Sequence, residues 1–391
     1  MKTGHLVLVL TLAASLVATG AAAQTDPAQD MTRAEVDAAI DQLGSLEFAV
    51  RSRASRAIRR APAAVAVPAL TDAATNHKDG YARFRALVLL TGFDDPRAGE
   101  LMLQLLADPN DRVRAVTYGW FEHHPNPDAA VKMLAALEQE ASEFVRPALT
   151  RTLAAHDSAD VRPAMTALVS RGQDFFRSVV IEALGDSKAA YAAEAIAEVA
   201  KLDGPLQDDA ALALGKIGDK KYLATLAALQ RTAPRERQPA IAAAICLLGV
   251  NCAAHEKYLI DALRFGIENR DYQPLLRGAA NALAALAVAG RATALEALVD
   301  AGLPSKDPAR AAIALALGTV SMRNTSLLLD WMAARNDGEA IAALLQESFD
   351  MLEEDLEEER FYVTVRRRYW QAADGSPLKA AAEILIKKLE F

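Results

Sequence analysis

The sequence is poor in aromatic residues, at 6% of 391, and its β-branched residues are sparse. Strands draw on those residue types, so a β-rich fold is excluded. What remains is dominated by Ala and Leu, both strong helix formers, and hydrophobic residues reach 52%. Cysteine is nearly missing as well, with only Cys246 and Cys252. Beyond the first residues no stretch approaches ~18 uninterrupted strongly apolar positions, which leaves no segment for stable membrane insertion. Base is in deficit: 43 Lys and Arg against 51 Asp and Glu give a formal charge of -8. That argues against nucleic acid as a partner, since such binding rests on Lys and Arg neutralising phosphates. No nucleophile elbow, phosphate loop or dinucleotide fingerprint is found, so no catalytic residue and no cofactor is assigned.

The first residues have the composition of an export leader. Lys2 supplies a short positive region, Leu6–Val17 an apolar stretch, and Ala21-Ala22-Ala23 a small-residue cleavage site before Gln24. Residues 1–23 are therefore expected to be a signal peptide, with the mature protein in the bacterial periplasm or secreted. No Cys stands close enough behind them for a lipoprotein anchor. Loss of Lys2 without any acid takes the formal charge from -8 to -9.

A repeat of just over thirty residues organises most of the chain. Arg51, Arg83, Arg114, Arg146 and Arg177 are separated by 32, 31, 32 and 31 residues. Seven residues beyond each stand Ile58, Leu90, Phe121, Leu153 and Leu184, continued by Leu214, Leu248, Leu286 and Leu317. A second column, three residues past the Arg, is apolar in every unit but one, where Thr117 stands. Columns four apart share a helix face. Each first helix is succeeded by a second apolar segment, so every unit is a helical hairpin that must stack on neighbours to bury its faces. Gly185, Gly215, Gly249 and Gly318 stand directly after the core Leu and are expected to end their helices in the left-handed conformation. The longer seventh and eighth units place their extra residues in loops near Asn251–His255 and Asn269–Gln273.

The stretch Asp208–Leu226, DDAALALGKIGDKKYLATL, resembles the HEAT-like repeats of phycobilisome lyases. The resemblance implies an all-α, right-handed α-solenoid of about nine antiparallel helix pairs, and it implies a fold more than a function. The organisation then reads as a signal peptide (1–23), a lead and capping helix (24–45), the HEAT solenoid (46–335) and a helical cap (336–391). In the cap, Glu339–Glu359 is expected to form one long helix and Lys379–Leu389 a last amphipathic one.

Candidate sites are few. Cys246 and Cys252 are expected to form a disulfide in an exported chain, pinning a loop. Glu122-His123-His124 and His255-Glu256 lack the i,i+4 His pair of a helical metal site, and a loop without metal is expected at each. His255-Glu256 is similar to the His-Glu pairs of HEAT-repeat deoxyhypusine hydroxylases, but those hold two irons with several pairs and this chain has one. The Arg column, including Arg114, Arg146 and Arg177, reads either as a structural ladder beside loop acids or as a basic strip for acidic peptides. Trp120, Trp331 and Trp370 are candidate anchors for a protein partner, or ordinary packing between hairpins. The acidic run Glu353–Glu359, with Arg366-Arg367-Arg368 beyond it, reads either as a paired acidic and basic binding patch or as a solvated cap whose charges partly offset one another, and the cap is expected. The function expected is a non-catalytic protein-binding scaffold acting through the concave groove. An enzyme on a lyase-like repeat scaffold, or a peptidase regulator presenting the Asn251–His255 loop, would be the alternatives.

Overall fold

The computed structural model describes residues 30–391 apart from 138, 141, 353 and 354. The expected leader therefore lies outside the described residues. Twenty-two α-helices and no strand are found among them. Helix α1 (Arg33–Gln42) opens the chain, started by a reciprocal cap between Thr32 and Glu35. Nine hairpins come next: α2 (Phe48–Arg60) with α3 (Ala63–Asn76), α4 (Gly80–Thr91) with α5 (Ala98–Leu105), α6 (Asp111–His123) with α7 (Pro127–Ala136), α8 (Arg146–His156) with α9 (Val161–Leu168), α10 (Asp174–Asp186) with α11 (Ala193–Ala200), α12 (Gln207–Ile217) with α13 (Leu223–Thr232), α14 (Gln238–Leu247) with α15 (Cys252–Glu268), α16 (Gln273–Val288) with α17 (Ala292–Gly302), and α18 (Ala309–Arg323) with α19 (Thr325–Met332). Three helices close the chain: α20 (Gly338–Leu352), α21 (Asp355–Gln371) and α22 (Pro377–Lys388). No single helix among the described residues is long and apolar enough to cross a membrane.

The apolar columns are the core. Ile58, Leu90, Phe121, Leu153, Leu184, Leu214, Leu248, Leu286 and Leu317 are all buried, and so is Thr117, whose hydroxyl donates to the Val113 carbonyl. Successive first helices, α2 through α20, touch all along the stack, whereas the second helices touch one another little. The stack therefore curves with its first helices on the inside.

Three of the four expected helix-ending glycines do not take the left-handed conformation and remain inside their helices, where crowding explains them. Gly185, Gly215 and Gly318 lie within α10, α12 and α18. A Cβ on Gly215 would stand 2.8 Å from the Ala244 Cβ, and one on Gly185 would stand 2.9 Å from the Ala213 Cβ. They are glycine because the neighbouring inner helix leaves no room. Gly249 alone of the four has the expected positive φ, at 80°.

The seventh unit also differs from expectation, whereas the eighth has its connection at residues 269–272, as expected. Asn251 takes a left-handed conformation and Cys252 begins α15, so residues expected in a loop form the first turn of a 17-residue helix. The segment Asn251–His255 presents no loop. Cys246 and Cys252 stand at disulfide distance, their Cα atoms 4.2 Å apart, joining the end of α14 to the start of α15. The expected long helix from Glu339 to Glu359 is instead two, α20 and α21.

Candidate functional site

The curvature brings the two ends of the solenoid together. Arg323, at the end of α18, lies 3.4 Å from Glu122 near the end of α6, and Arg151 of α8 approaches the same carboxylate at 3.5 Å. Helix α21 crosses this junction. It packs on α4 and α6 from the first units and on α18 and α19 from the last. The acidic run is consequently not a solvated surface, because most of its described carboxylates have a partner on the solenoid. Glu359 is 1% exposed and takes two-pronged hydrogen bonds from Arg59 of α2, Nε to Oε1 at 3.0 Å and Nη2 to Oε2 at 2.6 Å. Asp355 pairs with Arg85 of α4, and Glu357 with His123 of α6 at 2.9 Å. Arg59 also lies over the Tyr362 ring at 5.0 Å, and the terminal Phe391 stacks on that ring at 4.2 Å.

Burial among charges separates the carboxyls of one helix. Burial alone would raise Glu357, but the His123 hydrogen bond and the charges of Arg360 and Arg323 outweigh it and hold the group down to about 2. Glu358 has weaker compensation. Burial and the neighbouring Asp355 push it up to about 7, against the lowering pull of Arg85, the Tyr362 hydroxyl and Arg59.

Glu122, His123 and Glu357 bring possible metal-ligating atoms within 4.8 Å of one another. The donor set fits a cation poorly. Arg151 and Arg323 flank Glu122 while Arg360 reaches Glu357 at 3.0 Å, so three guanidinium groups already balance two carboxylates. At the other candidate, Glu256 is buried against Arg291 at 2.6 Å and accepts from the Thr293 hydroxyl, so no second ligand joins His255.

The Arg column serves the joints between units. Arg83 Nε donates to the Ala74 carbonyl at 3.1 Å, Arg114 Nη1 to that of Asp108 at 2.8 Å, Arg146 Nε to that of Glu140 at 2.8 Å, and Arg177 Nε to that of Val169 at 2.9 Å. Each guanidinium thus sits at or just beyond the carboxyl end of the preceding helix, where carbonyls lack partners and positive charge is favoured. Arg114 additionally forms a two-pronged pair with Glu140, both bonds 2.8 Å.

Trp120, Trp331 and Trp370 are each half-buried. Trp120 stacks on His124 at 3.9 Å, Trp331 lies under Arg335 at 4.6 Å, and Trp370 meets Tyr369 edge-on at 4.9 Å. Six other aromatics are exposed among the described residues, two of them, Tyr258 and Tyr272, within or just after α15 and the other four in the early units. Phe48, Tyr81, Phe144 and Phe175 are 72%, 38%, 43% and 67% exposed, and all stand at or just before the amino ends of inner helices. Guanidinium groups and Phe84 join the first three into a rim, and Phe175 stands beyond it in a neighbouring cleft. Arg51 lies 5.8 Å from the Phe48 ring and 5.9 Å from that of Tyr81. Tyr81 meets Phe84 at 5.8 Å, and Arg112 bridges Phe84 to Phe144 at 5.6 and 5.4 Å. Arg146 lies 5.3 Å from Phe176, and Glu143, Arg146, Pro147, Phe175 and Phe176 line a cleft of about 270 Å³. Sequence reading missed this rim, although its signal was present: Tyr81, Arg112, Phe144 and Phe175 each stand two residues before the Arg column.

The class of protein is then an α-solenoid of stacked hairpins, closed on its inner side by its own penultimate helix. Residues 36–119 match the family model described as HEAT repeats, so this part of the stack is built of HEAT repeats. No curated protein matches the chain. Among solved structures, YibA of Escherichia coli is similar at 17% identity and a TM-score of 0.40, over 55% of this chain and 81% of that one. Kap95p, from a structure concerned with RanGDP and nuclear import, is similar at 14% identity and a TM-score of 0.41, over 92% of this chain but only 55% of that one. The complex of CpcE and CpcF of phycocyanin lyase from Nostoc is similar at 18% identity and a TM-score of 0.27, over 84% and 97%. At these values neither the shape of the superhelix nor a binding partner carries over.

Proposed function

We propose that the chain is a non-catalytic protein-binding scaffold or assembly factor working outside the cytoplasm, and that it holds a protein or peptide along the concave side with the aromatic rim as anchor. The observation that carries this reading is the rim itself. Phe48, Tyr81 and Phe144, interleaved with Arg51 and Arg112, and Phe175 at the Arg146 cleft serve no core, and aromatic residues with Arg are the types that dominate interface energies. The groups with displaced ionisation near the inner face, Tyr362, Glu357 and Glu358, are engaged between α21 and the solenoid, which supports binding over chemistry. The leader-like first residues and the two cysteines at disulfide distance support the compartment.

The test is affinity capture from an envelope extract with residues 24–391, wild type against Phe48→Ala/Tyr81→Ala/Phe144→Ala/Phe175→Ala. The expected result is a stoichiometric protein retained by the wild type and lost from a variant of unchanged melting temperature. Equal retention by both chains would overturn the rim as anchor.

A further inference from the structure

The inner face of the first three hairpins holds a helix in a manner that identifies what else it can hold. We propose that this face is a receptor for an acidic, aromatic-bearing helix of a partner protein, and that α21 is its resident occupant in the unbound chain. This rests on the scaffold reading and names the class of its partner.

Three observations carry it. The first is charge. On the solenoid side stand Arg59, Arg85 and His123, and on the helix side Glu359, Asp355 and Glu357, pair by pair. The second is shape. Gly92 and Gly119 lie in or at the end of inner helices where a side chain would block the visitor. A Cβ on Gly92 would meet the Glu359 carboxylate at 2.7 Å, and one on Gly119 would meet the Leu356 Cδ2 at 2.6 Å. The two glycines form slots for two side chains of one helix. The third is the kind of contact. Inner helices elsewhere meet through Ala and Leu, but here the central pair is buried and ionic. Buried ion pairs add little net stability over apolar packing, yet they penalise a mispaired ligand severely. Such a surface discriminates more than it clamps.

The pattern recognised is explicit. Asp355, Glu359 and Tyr362 are spaced i, i+4 and i+7, one stripe of a helix, with Leu356 beside them. A partner helix with carboxylates at i and i+4, an aromatic at i+7 and a Leu at i+1 reproduces it. Because α21 is tethered, it competes at high effective concentration, and the partner must add contacts of its own, for which the rim lies at the other end of the same inner helices.

The test uses the full chain and a fluorescein-labelled peptide of Asp355–Gln371, monitored by anisotropy. Glu359→Lys in the chain weakens the resident helix and leaves the receptor intact. The labelled peptide is expected to bind that variant about tenfold or more tightly than the wild type, the scale of one close charge pair. Arg59→Glu is expected to lose the wild-type peptide and to gain a Glu359→Lys peptide. Equal binding of both peptides to both variants, or no binding to a Glu359→Lys chain with native circular dichroism, would overturn the proposal. If that variant does not fold, the wild type serves: excess peptide is expected to speed tryptic cleavage at Arg366-Arg367-Arg368 several-fold, and an unchanged rate contradicts displacement. Rim substitutions leave peptide binding intact, so capture that depends on the rim alongside failed peptide binding removes this inference and spares the scaffold reading.

Discussion

Arg59 and Glu359 are 300 residues apart in sequence and form the most buried ion pair described. Next to them, Glu358 gives the docked helix a dependence on pH. Its carboxyl is raised to about 7 in the docked helix, facing Asp355, Arg85, Tyr362 and Arg59. The docked state therefore holds a proton that a released helix gives up near the ordinary carboxylate range. Its contribution to docking is complete below that range and is lost as pH rises through about 7. Glu357 has the opposite sign: held down to about 2, it favours docking above the ordinary range and loses that effect only in strong acid. Docking should weaken between about pH 5 and 8. Amide exchange across α21, corrected for intrinsic chemistry, should rise over that interval, and Glu358→Gln should flatten the rise. A second residue-scale expectation concerns Gly215, which lies against Ala244 with no space for a side chain. Gly215→Ala should destabilise by about 1–3 kcal/mol through overpacking, despite the better helix propensity of Ala, as measured by urea denaturation.

At the scale of elements, the first helices differ from the second in what they touch. First helices stack on one another throughout, and in the early units their Arg column ties a hairpin to the one before. Arg146→Ala removes the donor to the Glu140 carbonyl and the cation above Phe176, and should cost about 1–3 kcal/mol where that carbonyl stays buried. Such a loss, with no change in captured partner, would mark Arg146 as a joint. The α14–α15 junction is the other reinforced point. Replacing Cys246 and Cys252 by Ala should cost about 2 kcal/mol on the chain-entropy account of so small a ring, measured as the drop in denaturation midpoint against the oxidised wild type.

For the whole molecule, what was legible in the sequence was what repeats. The Arg and Leu columns recur in every early unit, and a helix face needs only spacing to be recognised, so nine hairpins and their core are evident from residue order alone. The closure was not legible. It depends on curvature, which accumulates from small rotations between units, and it joins α2, α4 and α6 to α21, whose residues carry no repeat register. For the same reason the acidic run reads as solvated surface: charges are exposed unless a distant segment supplies their partners, and Arg59 and Arg85 sit in the first two units. The glycines illustrate a third limit. A glycine after a core Leu suits a helix end, but Gly185 and Gly215 answer to the inner helix of the next unit, at Ala213 and Ala244.

Closure requires α21 to be seated against both ends of the solenoid. Hydrogen exchange with mass spectrometry on the full chain at pH 6 tests this most directly, comparing wild type with Arg59→Ala. The prediction is that residues 355–371 are protected to a degree approaching α6 in the wild type, and lose most of that protection in the variant while α10 to α16 keep theirs. Rapid exchange of 355–371 in the wild type, or protection indifferent to Arg59→Ala, would contradict the closed solenoid and with it the receptor drawn from its inner face.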